Sequence, residues 1–381
     1  MPLLLCLTVF LGASSTADEN PTASQLMPES TVFYVEVPDP SGLISAIFDH
    51  PLRQKIESLE PWKQATSTPE YAQFNTGLVF VEGVLGMKWR EAVKTATGRG
   101  IAFGFDPANE AVLVAIQGDD ADAMQTLHDK ALQFSQLGPA DQLKKGTYRD
   151  LPVYQAGEAR FALVRNWLLL TNHPDTGKAA IDKLLDGNAS GLDQNEFFQQ
   201  ARATQSRDAT AWAFLNLKFI RDAGGAPELF RQQPSDNPGA ELIAGGIQSV
   251  LQKTPWLTAS IRVGHEALEA KVSLPHDASW VPEQREFYFG PDGAGRAPSI
   301  PAVKSPLFSL STYRNFSEMW LRAPDLFTEG VNDGMAEADA NLTTFFSGRD
   351  FGEDILGALT PEVSFIAARQ DFTDILPTPA I

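Results

Sequence analysis

Ile101-Ala102-Phe103-Gly104-Phe105, then Asp106-Pro107-Ala108-Asn109, then Ala111-Val112-Leu113-Val114-Ala115-Ile116-Gln117 is the stretch whose reading decides the fold. Two runs rich in β-branched and aromatic residues flank a segment of turn-forming residues, so it reads as strand, turn, strand. A connection that short suits antiparallel neighbours, because parallel strands need a long crossover.

The pattern extends in both directions. Downstream, Asp119 or Asp120 caps a helix that carries Met124, Leu127, Ala131 and Phe134 at helical spacing. A meander of short strands follows at 147–148, 152–155, 160–164 and 167–171, feeding a helix over 175–185. Next come a helix around Glu196-Phe197-Phe198, a strand over 209–216, and helices near 217–232 and 239–252. Strands over 256–263 and 267–274 form a hairpin with Gly264-His265-Glu266 as its turn. Upstream, residues 69–97 read as helix, with Trp89 and Val93 on one face. Thr31-Val32-Phe33-Tyr34-Val35-Glu36-Val37 reads as a buried strand stopped by Pro38-Asp39-Pro40, with Ser41 as the expected cap of the next helix. The class this predicts is α+β: mainly antiparallel sheets with helices packed on one face.

The first residues read as an export signal. Leu3 to Ala13 is apolar but too short to span a bilayer, and Ser15-Thr16-Ala17 offers a small-x-small cleavage site before Asp18. No Lys or Arg precedes the run, so either the leading segment is bare or the true start lies upstream. The single Cys6 lies inside this signal, so the exported chain has no disulfide and no thiol nucleophile. No later apolar run is long enough to span a membrane. The expected location is therefore extracytoplasmic, periplasmic or secreted.

Forty-eight acidic against 30 basic residues give a net charge of −18, which disfavours nucleic-acid backbones and anionic membrane surfaces and favours solubility. At 381 residues the chain exceeds one ordinary core. The expected organisation is a signal at 1–17, a disordered lead at 18–24, a large α+β domain at 25–275, a Pro/Gly-rich linker at 276–305, and a partial second copy at 306–381. The second copy is suggested by an echo at constant spacing. Trp89, Glu91, Val93, Ala96, Ile101 and Phe103 correspond to Phe351, Glu353, Ile355, Ala358, Val363 and Phe365. Likewise Val32-Phe33-Tyr34-Val35 resembles Leu307-Phe308-Ser309-Leu310. A duplicated unit is the sharper reading; common apolar periodicity is the other. If the unit is duplicated, the second copy stops at Ile381 without the meander of the first.

Leu26-Met27-Pro28-Glu29-Ser30-Thr31-Val32-Phe33-Tyr34-Val35-Glu36-Val37-Pro38 and Asp350-Phe351-Gly352-Glu353-Asp354-Ile355-Leu356 carry a family likeness. The layout resembles a group of secreted bacterial proteins of unknown function common among planctomycetes. That resemblance implies export and a repeated α+β unit, and it supplies no active-site residues.

Candidate chemistry is sparse. His265-Glu266-Ala267-Leu268-Glu269 lacks the second His of a zinc-protease helix and sits in a hairpin turn. Asp119-Asp120-Ala121-Asp122 could hold a hard cation, but acids at a helix start also suit the cap and the helix dipole. Asp350 with Glu353 has capping-box spacing. Asp333, Glu337, Asp339 and Asn341 miss the calcium-loop pattern. The histidines at 50, 128, 173, 265 and 276 do not cluster, and Asp175 after His173-Pro174 reads as a cap. Gly98-Arg99-Gly100-Ile101-Ala102-Phe103-Gly104 precedes a strand, whereas a phosphate loop follows one. No Gly-x-Ser-x-Gly elbow occurs, and Lys144-Lys145 is too short for a nucleic-acid patch. No catalytic, cofactor-binding or metal residue is therefore assigned. The expected role is a non-enzymatic extracytoplasmic protein that binds another protein or an envelope component, or serves structurally. The alternative is a cell-envelope hydrolase whose carboxylates are distant in sequence, and a third option is a cation-dependent binding module.

Overall fold

The computed structural model describes residues 21–49, 53–135, 143–187, 190–206, 208–231, 233–264 and 268–369. The export signal and the 265–267 turn lie outside the described residues. The chain forms two compact units. The first holds the chain up to Leu215 together with Thr258–Ser273, and the second holds Asn216–Leu257 and the chain from Leu274 onward. The fold is α+β with a large antiparallel sheet.

The first unit is built on ten strands: β1 (Phe33–Val37), β2 (Gly100–Asp106), β3 (Ala111–Gln117), β4 (Lys144–Tyr148), β5 (Leu151–Ala156), β6 (Ala159–Val164), β7 (Trp167–Thr171), β8 (Ala211–Leu215), β9 (Leu257–Val263) and β10 (Leu268–Ser273). Their order across the sheet is β10-β9-β8-β1-β2-β3-β7-β6-β5-β4. The 101–117 stretch pairs as read, Ala102 opposite Ala115 and Phe103 opposite Val114. The meander pairs in sequence from β4 to β7, and β7 then docks on β3.

Register divides the side chains between two faces, since directly opposed residues share a face. Tyr34, Ala102, Leu113, Ala115, Leu169 and Phe214 lie on one face and are buried. Three short elements cover it. Met27, just after the Ala23–Leu26 turn, lies against Gly104, where a Cβ would stand 2.5 Å from its sulfur. The Pro174–Asp186 helix lies over Thr171. The Glu196–Ala203 helix places Phe198 edge-on to Tyr34, Trp212 and Phe214, at 5.4, 5.5 and 5.3 Å. Lys183 Nζ ties two of these elements together by donating to the carbonyls of Gln25 and Met27.

The opposite face carries Phe103, Val114, Ile116, Leu168, Leu170, Phe161 and Leu163. The helices Pro69–Leu85, Trp89–Thr97 and Ala121–Ser135 cover part of it. Helices thus lie against both faces of the sheet, not the single face expected. The reason is that these strands are apolar at successive positions, and each apolar face needs its own cover.

Local signals differ in detail from the sequence expectations. The helix after β1 runs Pro40–Phe48 and is capped by Asp39, whose Oδ1 accepts from Gly42 N at 2.8 Å, not by Ser41. The expected 69–97 helix breaks at Gly86, which takes a left-handed conformation (φ 66°) that glycine adopts without steric cost. The 18–24 lead is described from Pro21, and there Ala23 already opens a helical turn.

The second unit contains residues 216–257, which fall inside the 25–275 domain expected from the sequence. Residues 276–305, expected to be a linker, carry three 3-10 turns and bury Val281, Arg285, Phe287 and Tyr288. Aromatic residues embedded in the Pro/Gly-rich stretch give it apolar surface to bury. Phe287 and Tyr288 pack with Ala323, Leu326 and Phe327. Strands β11 (Pro306–Tyr313) and β12 (Glu362–Ala368) form a separate two-stranded sheet.

A duplicated unit is not shown. The pairing does recur: Val35 faces Phe103 in β1–β2, and Leu310 faces Phe365 in β11–β12. The settings differ, however. β1 is flanked on both sides by β2 and β8, whereas β11 pairs only with β12 among the described residues. Trp89 opens a nine-residue α-helix, while Phe351 opens a π turn that passes into a 3-10 turn.

Candidate functional site

The layer over the second face of the sheet does not fill the space beneath it. A cavity of about 570 Å³ lies between that layer and strands β6 and β7. Its volume falls within the range of about 300–1,000 Å³ typical of small-molecule sites. Leu78, Val81 and Leu85 line it from the Pro69–Leu85 helix. Trp89, Val93 and Ala96 line it from the next helix, and Met124, Leu127 and Ala131 from the Ala121–Ser135 helix. Phe161, Leu163, Leu168 and Leu170 form its floor.

Three lining residues carry polar side-chain atoms: Trp89 through its indole N–H, Thr97 and His128. Thr97 Oγ1 donates to the Val93 carbonyl at 2.7 Å and is satisfied within its own helix. His128 is different. Its side chain is 8% exposed, and neither ring nitrogen has a hydrogen-bond partner. The Asp129 carboxylate stands 3.7 Å from Nδ1, beyond ordinary hydrogen-bond length but close enough to favour the protonated ring. Burial lowers the imidazole pKa from its ordinary 6.5, and the Asp129 charge opposes that shift without cancelling it. The ring is therefore neutral at pH 7, with one donor and one acceptor nitrogen. It is fixed by packing beside Tyr154 and Phe161, at 5.5 and 6.2 Å.

The Pro69–Leu85 helix has the character of a cover. Several of its apolar side chains stand in water: Phe74 is 61% exposed, Val79 68% and Phe80 55%. It carries Gly77 and Gly83 in its interior, each with open space around it. Its C-terminal end is tied down. Glu82 accepts from Trp89 N at 3.1 Å and from Lys88 Nζ at 2.9 Å, and Lys130 Nζ donates to the Leu85 carbonyl.

A second cavity, of about 320 Å³, lies on the other face of the meander. Val153, Ala162, Leu169 and Ile181 line its interior, with Lys144, Arg160 and Lys178 around them. Lys178 is paired with Asp175 at 3.2 Å, and Arg160 Nη1 donates to the carbonyls of Glu158 and Asn172. Lys144 and Lys145 stand on the edge strand β4, where lysines commonly block pairing with another chain.

The residues singled out from sequence are placed as follows. Asp120 caps the Ala121–Ser135 helix through Ala123 N at 2.8 Å, and Asp119 lies 3.9 Å from Arg99. Asp350 caps the π turn through Glu353 N at 2.7 Å, but the return bond to its own amide comes from Asp354 and not from Glu353. Asp339 accepts from Trp320 Nε1 at 2.9 Å. His173, not Asp175, is the N-cap of its helix, and Asp175 pairs with Lys178. His50 and His265 lie outside the described residues, while Glu269 pairs with Arg262 across the β9–β10 hairpin. No group of three or more His, Cys, Asp or Glu suited to a metal ion occurs among the described residues.

Nothing in the sequence expectations points to the cavity: Met124, Leu127, Ala131 and Phe134 stand at helical spacing on one helix, and His128 is one of five histidines that do not cluster. A signal was present: His128 stands four residues after Met124, on the same helix face. The 69–85 helix also carries four successive apolar residues, Leu78-Val79-Phe80-Val81, which a helix cannot turn to one side alone.

No helix among the described residues is long and apolar enough to cross a membrane. No family model matches this chain, and no curated protein matches it. Among solved structures, three crystal forms of TP0453 show a low likeness. Form III matches at 9% identity and a TM-score of 0.37 over 67% of this chain and 79% of that one. Form IV gives 11% and 0.35 over 66% and 79%, and form I gives 9% and 0.34 over 68% and 79%.

Proposed function

We propose that this is an extracytoplasmic, non-enzymatic binding protein that holds an apolar small molecule in the cavity under the Pro69–Leu85 helix. The observation that carries the reading is the cavity itself: about 570 Å³ lined almost wholly by aliphatic and aromatic side chains. Large empty apolar spaces destabilise a core, since lining atoms lose contacts on the open side. An apolar occupant restores those contacts. Export is supported by the apolar run Leu3 to Ala13 and the small residues before Asp18. The hydrolase alternative has less support. No carboxylate lines either of the two cavities described in the first unit; Asp339 and Asp350 share a hollow of about 260 Å³ in the second, where Asp339 is held by Trp320 and Asp350 caps the π turn.

The test is titration with an environment-sensitive apolar dye, wild type against Ala131→Phe, which fills part of the cavity. Saturable binding in the wild type, weakened at least tenfold in the variant, supports the reading. Absence of saturable binding, or equal binding by both proteins with the variant folded, overturns it. Export is tested separately by N-terminal sequencing of the protein from the culture fluid or periplasm, which should start near Asp18. An intact Met1 on cytoplasmic protein would sink that part.

A further inference from the structure

Buried polar groups in folded proteins nearly always have a hydrogen-bond partner, and leaving one without is costly. Several buried side chains among the described residues break this pattern, and of these His128 is the one that lines the apolar cavity. Elsewhere around the ring, Tyr154 and Phe161 give it apolar neighbours. Thr97 is already satisfied within its own helix.

On the reading that the cavity holds an apolar molecule, we propose that His128 is its recognition residue, and that the ligand class is a long-chain alcohol or carboxylic acid. A neutral imidazole offers one N–H and one bare nitrogen. A hydroxyl or a protonated carboxyl can engage either, and an ionised carboxylate can accept from the N–H. A plain hydrocarbon can engage neither. The remaining lining is aliphatic and aromatic, with the Trp89 indole N–H as its other polar group, and accommodates the chain. The ligand therefore has one polar end and one apolar body, with the polar end at residue 128 and the body along Leu127, Val93 and Leu170.

The experiment displaces the bound dye with decan-1-ol, decanoic acid and decane, in the wild type and in His128→Phe and His128→Gln. His128→Phe keeps a ring beside Tyr154 and Phe161 without the nitrogens. His128→Gln keeps a donor and an acceptor. The wild type should bind decanol and decanoic acid about tenfold more tightly than decane, the size of one net hydrogen bond. His128→Phe should lose that preference while still binding decane, and His128→Gln should keep part of it. If all three compounds displace the dye equally from wild type and His128→Phe, the inference falls while the apolar site stands. If none displaces it from the wild type, the apolar-ligand reading falls and the inference with it. Should the variants fail to fold, the imidazole ¹⁵N resonances of the wild type report the same contact. They should shift on addition of decanol and stay fixed with decane, and equal shifts, or none with decanol, would overturn the assignment.

Discussion

Arg285 and Glu241 meet at 3.0 Å, Nη1 to Oε1, with their side chains 0% and 2% exposed. The pair lies in the second unit, and Tyr288 completes it by donating its hydroxyl to Glu241 Oε1 at 2.8 Å. Burial and the nearby carboxylate push the Tyr288 phenol well up from its ordinary range. Two charges out of water are tolerated only as a pair. Arg285→Met should therefore cost about 3–5 kcal/mol, because the Glu241 carboxylate is left buried alone. Arg285→Met with Glu241→Leu should cost much less than the sum of the two single changes. Urea unfolding followed by fluorescence measures this, and a single-variant cost under about 1 kcal/mol would contradict it.

The aromatic contacts on the Tyr34 face of the first sheet set up a second comparison. Trp212 is 1% exposed and packs against Tyr34 and Phe198 at 5.9 and 5.5 Å. Trp212→Ala should cost about 3–5 kcal/mol. Trp89 is only half-buried and lines a cavity already open, so Trp89→Ala should cost distinctly less. Equal losses would mean that the two layers are packed alike.

Acid should act through His128. Burial holds its folded pKa below 6.5, while the unfolded chain titrates near that value. Between the two pKa values the unfolded state carries a proton that the folded state lacks. This contribution to stability is therefore complete above about 6.5 and is lost as pH falls below it. Melting temperatures at pH 7.5, 6.5 and 5.5 should decline at the acid end in the wild type, and less steeply in His128→Phe. Identical slopes in both proteins would rule His128 out as the source.

The covering helix offers a test of its own weakness. Interior glycine costs a helix about 0.8–1.0 kcal/mol relative to alanine, and a Cβ at Gly77 or Gly83 meets nothing within 4 Å. Gly77→Ala and Gly83→Ala should each stabilise by up to that amount. If opening of this helix admits the ligand, both changes should also slow dye release in stopped-flow measurements. Faster release, or lower stability, would argue that the helix is not the cover.

Much of this architecture was legible in the chain. β-Branched and aromatic content marked the strands at 31–37, 101–105 and 111–117. Helical spacing marked 121–135, and caps such as Asp120 and Asp350 followed from local chemistry. These features depend on residues a few positions apart, so local sequence determines them. The continuous apolar run Val112-Leu113-Val114-Ala115-Ile116 also held the information that both sheet faces are covered, although it was read as one face. The tertiary structure alone decided three things. The chain leaves the first unit after Leu215 and returns at Thr258, a choice made by long-range pairing that no local signal encodes. The segment 276–305 is anchored because Phe287 and Tyr288 find partners at Ala323, Leu326 and Phe327, far along the chain. The cavity exists because three helices and two strands, each locally well formed, meet without filling the space between them. Helical spacing fixes which side of a helix is apolar, but only packing decides whether that side meets a neighbour or an empty volume, and so only packing leaves His128 without a partner.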